Sequence, residues 1–188
     1  MDINMENITE DKEVEEALKY MLKESLNSQK TLQEKGKETE EKFMEWLNSE
    51  SIPYLFIEQS PGTLTEYFKG NSIKRPDFLV ILKNIGTIAV DVKRKAPQPN
   101  YTLGEDGEIN KYLNFERITR IPVWLVFGHP SPDGQYKSWY WISLSKVLEY
   151  EKCPPAKQGM GDYRIIPSDD TLQIQAGRDT ISRIVDLK

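Results

Sequence analysis

The alternation of apolar and polar residues predicts a β-hairpin near the middle of the chain. Two apolar runs, FLVIL at 78–82 and GTIAVDV at 86–92, are separated by Lys83-Asn84-Ile85, which is the length of a tight turn. The run IPVWLVFG at 121–128 is apolar throughout, which is typical of a strand buried on both faces. We expect further strands at 52–59 and 138–144.

Helical spacing of apolar residues marks three other segments. Residues 9–33 carry apolar side chains every three or four positions, and Gly36 then interrupts the pattern. A second helix is predicted from about 37 to 49 and a third near 108–119, with a short helix at 145–150. The stripe of the first helix consists of Val14, Ala17, Leu18, Met21, Leu22 and Leu26.

The order of these elements is helix, strand, hairpin, helix, strand, strand. It predicts an α/β fold in which a mixed central sheet is flanked by helices on both faces. Residues 1–35 are interpreted as an amphipathic helical extension and residues 36–188 as one domain. The segments 60–74 and 96–107 are interpreted as loops, and the last 35 residues or so as a loop with irregular or short strand structure.

The overall composition narrows the class of protein. The chain has 188 residues, 38% hydrophobic and 29% charged, as expected of a soluble globular protein. Its apolar stretches have strand length and its N-terminus is acidic, so neither a membrane span nor a signal peptide is expected. The single cysteine, Cys153, cannot form an internal disulfide, which favours a cytoplasmic location.

Charge is distributed unevenly along the chain. The net charge is −5, yet residues 69–95 hold seven basic residues against two acids. Residues 1–50 hold 14 acids and 7 bases. Because the local field decides where a polyanion binds, the basic segment can bind nucleic acid despite the acidic total.

Three charged residues in this basic segment form the candidate site. Asp77 opens the first strand of the hairpin, and Asp91 and Lys93 close the second. Residues 91 and 93 share one face of their strand, because side chains alternate, and Asp77 meets them at the same end of the sheet. Two acids and an ammonium group are suited to a hard divalent cation and a phosphate.

The same residues resemble the PD-(D/E)xK nuclease superfamily, which includes many restriction endonucleases and Holliday-junction resolvases. Pro76-Asp77, a hairpin and Asp91-x-Lys93 are similar to its central motif. Gly36-x-x-x-Glu40 is similar to its first-helix glutamate motif. With the later helix and strands, the resemblance covers about residues 36–146 and implies a restriction-endonuclease-like core.

The resemblance implies a nuclease that uses Mg²⁺ or Mn²⁺ to hydrolyse phosphodiester bonds in DNA. Asp77, Asp91, the backbone carbonyl of Val92 and Glu40 would hold the metal, Glu40 directly or through water. Lys93 would orient the attacking water or stabilise the transition state. A solvated acidic helix face is the alternative for Glu40, with Glu58 as a substitute ligand. A turn residue is the alternative for Asp77, and a surface ion pair is the alternative for Asp91 and Lys93.

Basic and aromatic residues complete the prediction. Lys74, Arg75, Arg94 and Lys95 are expected to contact DNA phosphates, with a solvated rim as the alternative for each. We expect Trp124, Trp139, Tyr140 and Trp141 to pack in the core, and we expect His129 to be structural. The role of Tyr112 is left open.

Two other functions remain open at this stage. A catalytically silent nucleic-acid-binding subunit of a phage, mobile-element or defence assembly would have the same fold. An interaction protein would use the amphipathic first helix.

A homodimer is predicted, because one such site cuts one strand and a double-strand cut or junction resolution needs two sites. Sequence does not distinguish duplex, branched or single-stranded DNA, or RNA.

Overall fold

The computed structural model describes residues 32–63, 65–155, 157–159 and 161–186. The described residues from 38 onwards form a compact unit that contains the strands found in the described part of the chain. The amphipathic helix predicted at 9–33 lies, as far as residue 31, outside the described residues, as does most of the predicted extension 1–35. In the described ranges, no helix combines the length and the apolar character needed to cross a bilayer.

The described chain contains four α-helices and nine strands. The helices are α1 (Leu32–Ser49), α2 (Glu66–Gly70), α3 (Asn110–Thr119) and α4 (Leu144–Val147). The strands are β1 (Tyr54–Phe56), β2 (Phe78–Leu82), β3 (Gly86–Arg94), β4 (Asn100–Gly104), β5 (Val123–Gly128), β6 (Ser138–Ser143), β7 (Lys152–Cys153), β8 (Tyr163–Pro167) and β9 (Leu172–Gln175). A π-helical turn, Glu105–Ile109, leads into α3. Short 3-10 turns cover Pro61–Thr63, Ser168–Asp170 and Ile181–Asp186.

Six strands form the central sheet in the order β1-β2-β3-β5-β6-β9. Strand β3 pairs with β5 in parallel, and the other neighbours in this sheet are antiparallel. The predicted hairpin is confirmed: β2 and β3 pair from Phe78↔Val90 to Leu82↔Gly86. In the turn, Asn84 adopts a left-handed backbone conformation with φ of 63°, which Asn tolerates better than most residues.

Strand β5 separates two hydrophobic cores, because its side chains alternate between them. Trp124 and Val126 belong to the core that contains Phe43 of α1. Leu125 and Phe127 belong to the core that contains Phe115 of α3. All six β5 residues are buried, as the apolar run predicts. The expected mixed sheet with helices on both faces is therefore confirmed.

Helix α1 is longer than expected at its N-terminal end. Gly36 is helical, so the prediction that it breaks the helix is wrong. A glycine within a helix costs only about 1 kcal/mol relative to alanine. The face centred on Phe43 is fully buried, and its ring packs edge-on against Trp139 with centroids 4.9 Å apart. Burial of this face outweighs the local cost of the glycine.

A second, three-stranded sheet of order β4-β8-β7 was not predicted. Its central contact pairs Tyr101 of β4 with Ile166 of β8, both fully buried. Segment 96–107 is predicted to be a loop, which is wrong for β4, whereas the short strand β8 is consistent with the irregular or short strand structure predicted for the end of the chain. Strand β4 forms because β8, about 60 positions further along the chain, supplies its hydrogen bonds, which no local pattern reveals.

Candidate functional site

Asp77 lies immediately before strand β2, next to the end of β3. Its backbone N–H donates to the carbonyl of Val90 at 2.9 Å, and its side-chain Oδ2 accepts a hydrogen bond from the N–H of Val92 at 2.7 Å. The side chain is buried, with the residue 8% exposed. These two bonds fix the carboxylate against the β3 backbone, beside Asp91.

Asp91 is the centre of a charged cluster beneath helix α3. The residue is 3% exposed, and its Oδ1 accepts a hydrogen bond from the phenol of Tyr112. The ammonium nitrogen of Lys93 lies 2.7 Å from Oδ2, and that of Lys74 lies 3.3 Å from Oδ1. Asp91 and Lys93 therefore share one face of β3, as the alternation of side chains predicts.

Lys93 links Asp91 to a further acid. Its ammonium group donates a hydrogen bond to Oε1 of Glu108, in the π-helical turn before α3. Lys74 lies 3.7 Å from the same oxygen, and its ammonium nitrogen is 5.0 Å from the centre of the Tyr112 ring. Two acids, two ammonium groups and a phenol thus form one continuous network.

The three site residues predicted first have shifted pKa values, each for a different balance of causes. Burial raises the pKa of Asp77 well above its ordinary value, and the charges of Asp91 and Glu40 add to the rise. Burial also acts to raise the pKa of Asp91, but Lys93 and Lys74 outweigh it, so that pKa is lowered. For Lys93, burial acts to lower the pKa, and the carboxylates of Asp91 and Glu108 reverse this and raise it. Lys93 is therefore an ammonium ion in this arrangement, and Asp91 a carboxylate.

Glu40 lies on α1, half-buried, close enough for its charge to raise the pKa of Asp77. The structure thus brings Glu40 towards Asp77 from the helix, as the glycine-to-glutamate spacing suggested. Its role as a direct or water-bridged metal ligand is not tested by this contact and stays a prediction.

The donor atoms suit a divalent cation held by few protein ligands. Within residues 32–63, 65–155, 157–159 and 161–186, no group of three or more His, Cys, Asp or Glu is arranged to hold a metal. Two carboxylates suffice for Mg²⁺, which keeps several waters. Asp91 Oδ2 is buried beside the Lys93 ammonium group, and the buried Asp77 is repelled by two other acids. The residues fit a hard cation at Asp77 and Asp91.

The four residues predicted to contact nucleic acid are placed differently from one another. Lys74 belongs to the charged cluster. Arg75 is tied to its own loop, donating to Thr63 Oγ1 at 2.6 Å, and Arg94 lies 3.3 Å from Glu38. Lys95 follows β3 directly and is half-buried. The first three must exchange or share these contacts to reach a phosphate.

Sequence reasoning missed Glu108 and left Tyr112 undecided. The two are four residues apart, so they lie on one face of the helical segment. That spacing was a usable signal, and Tyr112 is flanked at helical spacing by the fully buried Ile109 and the buried Phe115. The sequence does not reveal which residues of β3 this helical segment contacts, because that depends on the tertiary structure.

Three of the four aromatic residues expected in the core are buried, and the fourth, Tyr140, is half-buried against it. Trp139 and Trp141 are fully buried and Trp124 nearly so, which confirms the prediction for these three. His129 accepts from or donates to the hydroxyl of Tyr101 at 2.7 Å and stacks on Tyr140 with centroids 4.4 Å apart. These contacts are consistent with a structural histidine.

Comparison with solved structures shows a distant likeness. No protein-family model and no curated protein matches the sequence. Among solved structures, the chain is similar to Hjc, a Holliday junction resolvase from the archaeal hyperthermophile Archaeoglobus fulgidus. The match has 11% sequence identity and a TM-score of 0.45, and it covers 68% of this chain and 86% of that one.

Proposed function

We propose that this protein is a divalent-metal-dependent nuclease that hydrolyses phosphodiester bonds in DNA. The observation that carries the proposal is the pairing of two buried carboxylates, Asp77 and Asp91, with the ammonium group of Lys93 at 2.7 Å from Asp91. Such a site supplies both kinds of charge that phosphodiester hydrolysis needs: negative for a metal and positive for the phosphate.

Each residue has a distinct role in the proposal. Asp77 and Asp91 hold Mg²⁺ or Mn²⁺, with the Val92 carbonyl as a further ligand and Glu40 acting directly or through water. A bound metal would supply Lewis-acid activation at this position. Lys93 stays protonated between Asp91 and Glu108, so it positions water and stabilises negative charge in the transition state rather than acting as a free base.

The charge on the surface around the site supports DNA as the ligand. Lys74 contacts Asp91, and Lys95 follows Lys93 closely in the chain, within a segment of net positive charge. Contacts from such residues to phosphates give affinity without selecting sequence. A homodimer would place two sites on one duplex, and light scattering of the 21.8 kDa chain measures whether it forms.

The decisive experiment is a cleavage assay with matched variants. Purified wild type is incubated with duplex, branched and single-stranded DNA and with RNA, in Mg²⁺, Mn²⁺ or chelator. Asp91→Asn and Lys93→Met are expected to lower the cleavage rate by about 100-fold or more. Lys83→Met, at the exposed hairpin turn, removes the same charge away from the site and is expected to cut normally. Equal cleavage by all four proteins would indicate a contaminating nuclease and refute the proposal.

One observation favours a second candidate, a nucleic-acid-binding subunit that does not cut. The carboxylate of Asp91 is paired with two ammonium groups of the chain itself, those of Lys74 and Lys93. A site whose charges are balanced internally can persist as a structural element. Metal-independent DNA binding with no cleavage on any substrate tested above would favour this candidate.

A further inference from the structure

Lys74 occupies an unusual position for a residue expected to bind DNA. It lies in the loop between α2 and β2, and its ammonium nitrogen is 3.3 Å from Oδ1 of Asp91 and 3.7 Å from Oε1 of Glu108. The ammonium also lies over the Tyr112 ring. Yet 36% of the side chain is exposed, against 15% for Lys93. Lys74 therefore touches the candidate metal ligand while keeping a path to solvent.

The charges around Asp91 decide what happens to Lys74 when a cation binds there. Two ammonium groups face one buried carboxylate, one at each oxygen. A divalent cation bound to Asp91 would add two positive charges within a few ångströms of both lysines, and like charges at that distance repel strongly in a buried site. One ammonium group must then withdraw.

The structure indicates which lysine withdraws. Lys93 extends from strand β3 and is held by both Asp91 and Glu108. Lys74 extends from a loop, is more exposed, and makes the longer contact with each acid. A lysine has a flexible four-carbon stem, so its ammonium group can leave without moving the backbone.

The backbone on both sides of Lys74 is anchored, which limits the change to its side chain. Asn114 of α3 donates to the carbonyl of Asn71 at 3.1 Å, and Ile73 is buried. On the other side, Arg75 is tied to Thr63. The structure shows Lys74 turned inward on Asp91, and its side chain can turn outward to solvent from the same backbone position.

From these contacts we propose that Lys74 is the internal counter-ion of the metal-free site and is released to a DNA phosphate when a divalent cation binds at Asp91. This inference rests on the proposed function, since it requires that Asp91 bind a metal. Its consequence is that metal and DNA bind cooperatively, because each favours the outward setting of the same ammonium group. Coupling between two sites typically changes affinity about 5- to 150-fold.

The first test measures metal affinity in the absence of DNA. Mn²⁺ is titrated calorimetrically into the full chain as wild type, Lys74→Met and Lys74→Arg. Lys74→Met keeps the length of the stem but removes the competing charge, so it is expected to bind Mn²⁺ about tenfold more tightly, whereas Lys74→Arg stays close to wild type. Lys69→Met is the matched control, because Lys69 pairs with Glu66 on the surface of α2 and is expected to leave Mn²⁺ affinity unchanged.

The second test measures the coupling itself. Binding of a short nuclease-resistant phosphorothioate duplex is measured by fluorescence anisotropy with and without saturating Mn²⁺. Wild type and Lys69→Met are expected to gain at least fivefold more DNA affinity from the metal than Lys74→Met does. Equal gains in wild type and Lys74→Met would overturn the inference.

A third readout follows Lys74 directly and does not depend on activity. In the chain labelled with ¹⁵N at lysine Nζ, the resonance missing from Lys74→Arg is assigned to Lys74. Addition of Mg²⁺ is expected to move it towards the position of exposed lysines such as Lys69, while Lys93 keeps a buried signal. A Lys74 signal unmoved by saturating Mg²⁺ would contradict the proposal.

The outcomes separate this inference from the proposed function. If Mn²⁺ binds to wild type and Lys74→Met with equal affinity, the inference fails while the nuclease proposal stands. If Mn²⁺ binds to neither, both fail. If it binds only to Lys74→Met, the cation does not displace Lys74 from Asp91, and the release of Lys74 on metal binding is overturned.

Discussion

Asp91 illustrates how a single carboxylate can be both buried and charged. The free energy of removing it from water is offset by Lys93, Lys74 and the Tyr112 hydroxyl. Deleting one partner of a buried ion pair typically lowers the free energy of unfolding by several kcal/mol, because the remaining charge stays buried. Asp77 differs, since its main partner is a backbone N–H and its neighbours are acids.

This difference predicts that Asp77→Asn stabilises the metal-free protein. Burial and the charges of Asp91 and Glu40 raise the pKa of Asp77. A neutral Asp77 therefore favours folding; this contribution is complete below the pKa of the unfolded chain, about 3.9, and is lost as pH rises through the raised folded value. Asn keeps an oxygen for the Val92 N–H and carries no charge. In chelator at neutral pH, its Tm is expected to exceed wild type by roughly 2–4 °C.

The measurement is a series of thermal melts from pH 4 to pH 8 in chelator and in Mg²⁺. In chelator, the difference in Tm between Asp77→Asn and wild type should increase with pH. Mg²⁺ should raise the Tm of wild type but not that of Asp77→Asn. Asp169→Asn removes an exposed carboxylate and serves as the control. A lower Tm for Asp77→Asn at neutral pH in chelator would show that its charge is stabilising.

The Tyr112 hydroxyl gives a second prediction at this scale. Tyr112→Phe removes the donor to Asp91 and leaves the packing of the ring in place. A hydrogen bond to a charged group contributes about 1.5–3 kcal/mol, so urea denaturation should show a loss of this size. Tyr67→Phe, at an exposed position on α2, should lie within about 0.5 kcal/mol of wild type. Equal stability of the two variants would mean that water replaces the donor.

At the scale of elements, sequence patterns succeeded where partners are adjacent in the chain. The hairpin was predicted within two residues, because its strands and turn lie in one continuous segment. Helix α3 was predicted about two residues too early, since the π-helical turn at 105–109 precedes it. Strand β4 and the pairing of the second sheet were missed, because β4 and β8 are short and pair across some 60 residues.

Gly128, the last residue of β5, gives a prediction about packing between elements. A Cβ built there would lie 2.6 Å from Trp139 and 2.8 Å from Tyr136, both ring atoms. Gly128→Ala is therefore expected to destabilise the fold by about 1–3 kcal/mol through overpacking. Because Gly128 pairs with Arg94, beside Lys93, the change should also reduce DNA cleavage.

The matched control is Gly104→Ala, at the end of β4. No atom lies within 4 Å of a Cβ placed at Gly104, and its φ of −74° suits any residue. Chemical denaturation of both variants should show a loss only for Gly128→Ala. Equal stability of the two would mean that the rings of Trp139 and Tyr136 move aside at little cost.

At the scale of the whole molecule, the net charge is negative although the segment around the site is basic. A net charge of −5 argues against nucleic-acid binding, but residues 69–95 carry a net charge of +5. The fold brings Lys74, near the start of this segment, to Asp91, near its end. Long-range repulsion of DNA by the acidic remainder is screened at physiological salt, where the Debye length is about 8 Å.

Lys95 provides the prediction at this scale. Lys95→Gln is expected to weaken DNA binding similarly for all sequences and to reduce the slope of log affinity against log salt by about one. Anisotropy titrations over a salt series measure both quantities. Lys83→Gln, at the exposed hairpin turn, removes an equal charge from the opposite end of β3 and should leave the slope unchanged. Equal slopes for all three proteins would exclude a phosphate contact by Lys95.

Local sequence was sufficient to predict the hairpin, the buried strand β5, the α/β class and the contact between Asp91 and Lys93. All of these follow from alternation and spacing over a few residues. Only the tertiary structure decided three other contacts of the site. Glu108 pairs with Lys93, Tyr112 donates to Asp91, and Lys74 turns inward onto Asp91. These depend on how α3 packs over β3, which is set by the burial of side chains distant in sequence. Charge balance at the site is therefore a property of the folded chain and not of its motifs.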